Sequence, residues 1–201
     1  MPDLFLARHG ESTFNRDNLF TGWIDAPLTE KGREEARAII GKLKNNKFEK
    51  AYTSKLSRAS ESLRIVLAES HRSDVQIIES EALNERHYGD LQGMNKDQTA
   101  RRFGEEQVRL WRRSYTVAPP NGESLKNTAD RVIPFFRSTI LSDISHGKNI
   151  LVLAHGNSLR AIVKEIEHLS DDEIIDVNIA TGEVRKYVID SKLIVTQREI
   201  L

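Results

Sequence analysis

With 201 residues, 38% of them hydrophobic and 30% charged, the chain is long enough to bury one substantial core and too apolar to read as disordered. Lys plus Arg and Asp plus Glu number 30 each, so the net charge is zero: no overall field would recruit nucleic acid or an anionic membrane, and any anion site must be a local cluster. The absence of cysteine excludes disulfides, thiol nucleophiles and Cys-ligated metal and fits the cytoplasm, while the first residues lack the basic start of a signal peptide and the apolar runs are too short to span a bilayer.

The first predicted strand, near residues 4–7, is an apolar run that ends directly in Arg8-His9-Gly10. A buried strand that stops in this way delivers polar chemistry to the rim of a sheet, and His9 is the candidate reactive group. Thr21-Gly22-Trp23 and Ala26-Pro27 then break regular structure. Thr29 is placed to cap a helix whose apolar positions Ala36, Ile39, Ile40 and Leu43 recur at helical spacing. A second strand near 50–53 runs into Ser54, read as the cap of a helix with the inner stripe Leu56, Ala59, Leu63, Val66 and Leu67; Arg58 falls in its first turns. Residues 75–78 read as a third strand, 83–93 as a polar irregular stretch, and 96–113 as two short helices broken near Gly104. Pro119-Pro120-Asn121-Gly122 is the clearest breaker, and the helix expected from Ser124 to about 141 carries Pro134 as a kink.

Residues 149–154 are almost continuously apolar and rich in branched side chains, as in a strand buried on both faces, and His155-Gly156-Asn157-Ser158 leads from it into another helix. Strands near 183–189 and 193–196 fit an antiparallel edge. No repeat, low-complexity tract or linker interrupts the pattern. The chain therefore reads as a single α/β domain over residues 1–201, with a mainly parallel central sheet, flanking helices and an antiparallel edge.

The segments Leu6-Ala7-Arg8-His9-Gly10 and Leu153-Ala154-His155-Gly156 echo each other. In a parallel sheet the ligand crevice lies outside the carboxyl ends of the strands, so two strands that both end in His-Gly bring two imidazoles to one pocket, and Arg58 approaches the same rim. The glycines permit positive φ or close approach to the backbone, and helix N-termini there offer N–H groups to an anion. Two Arg and two His suit a phosphoryl group, whose oxygens take forked Arg donors while a neutral His nitrogen attacks phosphorus. An isolated His at a strand end is more often structural, and His71, His87, His146 and His168 keep that reading. Glu11 with two distant His makes no recognisable ligand spacing, so no metal is expected.

Arg8-His9-Gly10-Glu11-Ser12 resembles the signature of the histidine phosphatase superfamily. Phe20-Thr21-Gly22-Trp23, Ala51-Tyr52-Thr53-Ser54, Leu83-Asn84-Glu85-Arg86-His87-Tyr88-Gly89, Gln107-Val108 with Trp111-Arg112-Arg113, and Ala154-His155-Gly156-Asn157-Ser158 resemble the cofactor-dependent phosphoglycerate mutases in particular. The resemblance implies a phosphorylated His9, with Arg8, Arg58 and a protonated His155 holding the phosphoryl group, and Glu85 exchanging a proton with the substrate hydroxyl. It implies an outer cationic ring of Lys96, Arg112 and Arg113 for the substrate carboxylate. Ser12, Asn15, Thr21, Gly22, Arg86, Tyr88, Gly156 and Asn157 would complete the substrate contacts.

The implied reaction is interconversion of 2- and 3-phosphoglycerate, primed by 2,3-bisphosphoglycerate and needing no metal. The implied partner is a small phosphorylated three-carbon acid, and the implied assembly a monomer or small homo-oligomer. Gly22 favours the mutase, because relatives specialised to make 2,3-bisphosphoglycerate carry a bulkier residue there. Two departures from the longer mutases limit the resemblance. Those relatives have an insertion before the Glu123-Ser124-Leu125 segment that contributes to their assembly, which leaves the oligomeric state open, and a mobile tail beyond the last strand, whereas this chain stops at Leu201. A shorter lid admits water and raises the phosphatase share. The alternatives are therefore a broad phosphomonoesterase using the same pocket, which has no need of the outer ring, and a non-catalytic phospho-ligand-binding protein.

Overall fold

Two runs without a polar side chain, Leu4-Phe5-Leu6-Ala7 and Ile150-Leu151-Val152-Leu153-Ala154, have no solvent exposure at all, and they form the middle of the sheet. The computed structural model describes residues 1–72 and 74–201. Its elements, in order, are β1 (Asp3–Arg8), the single turn α1 (Thr13–Arg16), α2 (Glu30–Leu43), β2 (Lys50–Thr53), α3 (Ser57–Glu69) and β3 (Gln76–Glu79). There follow α4 (Lys96–Phe103), α5 (Glu105–Arg113), α6 (Leu125–Phe135), α7 (Leu141–Ser145), β4 (Ile150–Ala154), α8 (Gly156–Ile166), α9 (Glu173–Asp176), β5 (Val184–Ile189) and β6 (Val195–Ile200).

The strand order is β3-β2-β4-β1-β5-β6. β1, β2, β3 and β4 run parallel, while β5 and β6 add the antiparallel edge. Successive side chains of a strand point to opposite faces. Leu4, Leu6, Ile150 and Val152 therefore pack with Val132 of α6 and Leu159 and Ile162 of α8, whereas Phe5, Ala7, Leu151 and Leu153 pack with Ile39 of α2 and Leu63 and Val66 of α3. Each fully buried side chain of this size contributes about 1.5–3 kcal/mol. Burial on both faces is what pins β1 and β4 in register.

Thr29 caps α2 as expected, its hydroxyl accepting from the Gly32 N–H at 3.0 Å. Ser54 does not cap α3. The capping position belongs to Leu56, which has no side-chain cap, and the Ser54 hydroxyl turns toward β4 instead. Pro134 does perturb its helix: with no N–H to give and its ring against the preceding turn, α6 passes into α7 through a π turn over Phe136–Ile140. β6 begins later and runs further than expected, because Leu193 takes φ +63° and spends itself on the turn. The glycine after His9 does not use positive φ: a Cβ on Gly10 would lie 1.9 Å from the Gly32 carbonyl oxygen, so the close approach is to the chain's own backbone.

Candidate active site

The parallel register pairs Arg8 with Ala154 and Thr53 with Leu153. The residues one step beyond, His9 and His155, must then stand side by side, and Ser54 follows on the next strand. The His9 and His155 ring centroids are 4.9 Å apart in an edge-on arrangement. Both rings are enclosed, His9 with 2% exposure and His155 with none.

The His9 Nδ1 lies 2.6 Å from the Gly10 carbonyl oxygen. A carbonyl only accepts, so Nδ1 carries the proton and Nε2 keeps a free lone pair. Burial, reinforced by the guanidiniums of Arg58 and Arg8, holds the His9 pKa well below the ordinary value of 6.5. His155 is lowered for the same first reason, with Arg58, His9 and Arg8 adding to it. The protonated His155 expected from sequence is thus corrected: the ring is neutral near pH 7. Its Nε2 meets the Ser54 hydroxyl at 2.6 Å, and its Nδ1 is buried without a hydrogen-bond partner. The Ser54 oxygen also accepts the Leu56 N–H, at 3.2 Å, so this hydroxyl joins the start of α3 to the His155 ring.

A neutral state for both rings is directly measurable. Ring nitrogen shifts of His9 and His155 should remain those of neutral imidazole at pH 6.5, where an unperturbed histidine is half protonated; half-titrated rings at that pH would refute it. The sign for stability follows. Folded-state pKa values below the unfolded one give stability that is fully present above pH 6.5 and is lost as pH falls from there toward the folded values.

Arg58 is 1% exposed and donates to the carbonyls of Ile24 at 3.0 Å and Gly22 at 2.8 Å; burial lowers its pKa to about 10. Arg8 donates to Ile179 O at 2.6 Å and keeps a buried, unpartnered Nε. Outside these groups opens a cleft enclosing about 690 Å³ of empty space. Its lining includes Arg8, Asn15, Thr21, Gly22, Glu85, Tyr88, Lys96, Arg112, Arg113, Gly156 and Asn157, so most of the residues singled out from sequence do converge. Glu85 is the one carboxylate among the lining side chains, against the cationic Arg8, Lys96, Arg112, Arg113 and Arg160. Its Oε1 accepts from the backbone N–H of Asn157 at 3.1 Å and of Arg86 at 2.7 Å, so the α8 N-terminus that was expected to serve an external anion holds this carboxyl group.

Other expectations change. Arg86 is fully enclosed and does not line the cleft; it donates to the Tyr88 hydroxyl at 2.9 Å and to Arg112 O at 2.8 Å, and so supports two lining residues from beneath. Ser12 is also enclosed, capping α1 by accepting from the Asn15 N–H at 3.3 Å. Gly22 takes φ +56°, and a Cβ there would meet the Gln92 Oε1 at 2.0 Å. Burial lowers the Lys96 pKa, helped by Arg112 and Arg8.

Two contributors were missed. Ser54 passed as a helix cap. Arg160, 5% exposed, was not among the candidates; it donates to Asn157 Oδ1 at 3.1 Å and to Ile174 O at 2.5 Å, and burial lowers its pKa to about 10. The available signal was its isolation in the apolar run Leu159-Arg160-Ala161-Ile162-Val163, three residues after Asn157. Among the described residues no group of three or more His, Asp or Glu is arranged to hold a metal ion, and no helix is long and apolar enough to cross a membrane.

Paired neutral imidazoles enclosed at strand ends, next to a cleft whose charge is almost wholly cationic but not among its lining residues, define an α/β fold with a site suited to phosphate esters. The model of the histidine phosphatase superfamily (branch 1) matches residues 4–198, and the chain belongs to that superfamily. It is 53% identical to the 2,3-bisphosphoglycerate-dependent phosphoglycerate mutase of Parvibaculum lavamentivorans, over 100% of this chain and 97% of that one. It is 50% identical to the phosphoglycerate mutase of Schizosaccharomyces pombe, over 93% and 90%. Among solved structures, the α-ribazole phosphatase of Shigella flexneri superposes with a TM-score of 0.80 at 28% identity, covering 96% of this chain and 93% of its own. A mycobacterial hydrolase superposes at 0.86 with 21% identity, covering 98% and 96%, a likeness of fold.

Proposed function

We propose that the chain interconverts 2- and 3-phosphoglycerate in the cytoplasm through a phosphohistidine on His9, with 2,3-bisphosphoglycerate as primer. The observation that carries this reading is the neutral His9 ring, tied through Nδ1 to Gly10 O so that Nε2 is the attacking atom. In the primed enzyme the free hydroxyl of the bound phosphoglycerate gives its proton to Glu85 as its oxygen forms the bond to phosphorus and the bond from phosphorus to His9 Nε2 breaks. After the doubly phosphorylated glycerate has reoriented, His9 Nε2 forms the bond to the other phosphorus as that ester oxygen leaves, and Glu85 gives that oxygen its proton. Arg8, Arg58 and the His155 ring stabilise charge on the equatorial oxygens, which is where phosphoryl transfer needs help most.

The donor set suits a ligand with more than one anionic group. Arg8 Nε, Arg160 Nε and His155 Nδ1 are buried without partners, and Lys96, Arg112 and Arg113 line the cleft beyond them. When bound, 2,3-bisphosphoglycerate supplies the phosphoryl group that charges His9. A plain phosphomonoesterase would have no use for the outer ring, and the mutase names of the relatives near 50% identity favour the mutase reading. The test is a coupled assay from 3-phosphoglycerate with and without added 2,3-bisphosphoglycerate. Strong stimulation is expected, and equal rates in both arms would overturn the proposal.

A further inference from the structure

The loop that carries Glu85 is irregular, yet its carboxyl group must be held to within a fraction of an ångström if it is to serve a leaving oxygen. The Asn157 and Arg86 N–H groups take the carboxyl oxygen, and one side chain from a distant helix holds the backbone of the loop that carries it. Arg131, on α6, donates through Nη1 to Ala82 O at 2.9 Å and Asn84 O at 3.0 Å, with a longer contact to Glu81 O at 3.4 Å. Through Nη2 it donates to the carbonyl of Glu85 itself at 2.8 Å. The guanidinium is fixed in turn by Glu123, which takes Nε at 2.9 Å and Nη2 at 2.9 Å in a forked pair. Glu123 also accepts the His87 N–H at 2.9 Å, so the loop is gripped on both sides of Glu85. Burial would raise the Glu123 pKa, but Arg131 and the His87 N–H outweigh it and keep the carboxylate charged.

Trp23 closes the arrangement. Its indole N–H donates to the same Glu85 carbonyl at 2.5 Å, and its ring lies 5.5 Å from the Arg131 guanidinium. The carbonyls of its neighbours Gly22 and Ile24 receive Arg58. Thus the phosphoryl clamp and the proton-exchange carboxyl share one short segment, and Arg131 braces it from behind. Arg131 does not line the cleft; its hydrogen bonds reach the site through the Glu85 segment, and its charge, which R131K keeps, adds a small effect on the His155 ring.

We infer that Arg131, locked by Glu123, is a positioning residue for the Glu85 carboxyl group in proton exchange with the leaving oxygen. The inference rests on the role of Glu85 proposed above, and the choice of ester separates the two. A leaving alkoxide needs a proton from Glu85, whereas p-nitrophenolate departs without one. Single-turnover phosphorylation of His9 is measured with 2,3-bisphosphoglycerate and with p-nitrophenyl phosphate in the wild type, E85Q, R131K and E123Q.

Lysine at 131 keeps a charge for Glu123 but cannot reach three carbonyls at once, and near-ultraviolet circular dichroism checks that each variant is folded. For R131K and E123Q the rate with 2,3-bisphosphoglycerate should fall by about 10- to 100-fold, and by less than about threefold with p-nitrophenyl phosphate. E85Q should show the same split, only larger. Equal losses on both esters, or none, in R131K would mean a merely structural residue and overturn the inference. If E85Q itself shows no split, the role of Glu85 falls and this inference falls with it; if E85Q splits and R131K does not, only the inference falls.

Discussion

His9→Ala is expected to leave no detectable phosphoenzyme and to lower the interconversion by on the order of 10⁶-fold, the scale seen when a covalent nucleophile is removed from a site that otherwise stays intact. The cleft holds no thiol to replace it, because the chain has no cysteine. His155 cannot take over easily: its ring has no solvent exposure and its Nε2 is engaged by Ser54. His9→Asn is the sharper variant, since an amide can still donate to Gly10 O and preserve the turn while offering no nucleophile. Labelled phosphate transferred from 2,3-bisphosphoglycerate should appear on the wild type and be absent from both variants. Label on either one, or residual flux of a few per cent, would sink the assignment.

Arg58→Met should separate activity from stability. Turnover is expected to drop by about 10²- to 10³-fold, the cost of removing one preorganised donor from a developing oxyanion. Thermal stability should barely move, with a melting temperature within about 3 °C of wild type. Two opposed effects lie behind this. Burial has lowered the guanidinium pKa from 12.5 to about 10, so a charged Arg58 costs the folded state about 3 kcal/mol at all pH values below that. Methionine relieves that cost but abandons the carbonyls of Gly22 and Ile24, at about 1–3 kcal/mol each. A residue that the fold could do without, held charged in an enclosed position, is there for its chemistry. Turnover near wild type would show the role to be wrong, and a large fall in melting temperature would show Arg58 to be chiefly structural.

Much of this was legible in the order of residues. Uninterrupted apolar runs at Leu4–Ala7 and Ile150–Ala154 announced central strands, since only burial on both faces tolerates them, and the histidine after each run announced the rim. Thr29, Gly104 and Pro134 marked a cap, a break and an irregularity that the structure contains. What could not be read were partners distant in sequence. Ser54 has the spacing of a cap, and its bond to His155 spans 101 positions. Arg131 and Arg160 look like charges on a solvated helix face, and Arg86 looks like a ligand contact beside Glu85.

Residue order therefore sufficed for most of the elements, the parallel sheet and the meeting of two histidines at its rim, because periodicity and strand-end chemistry are local properties. Packing alone decided which nitrogen of His9 carries the proton, that both rings are neutral, that Arg86 supports the cleft from below and that Arg131 braces the Glu85 loop. Those outcomes depend on burial and on atoms brought within 3 Å of each other by register and helix docking, and neither is written in any single stretch of the chain.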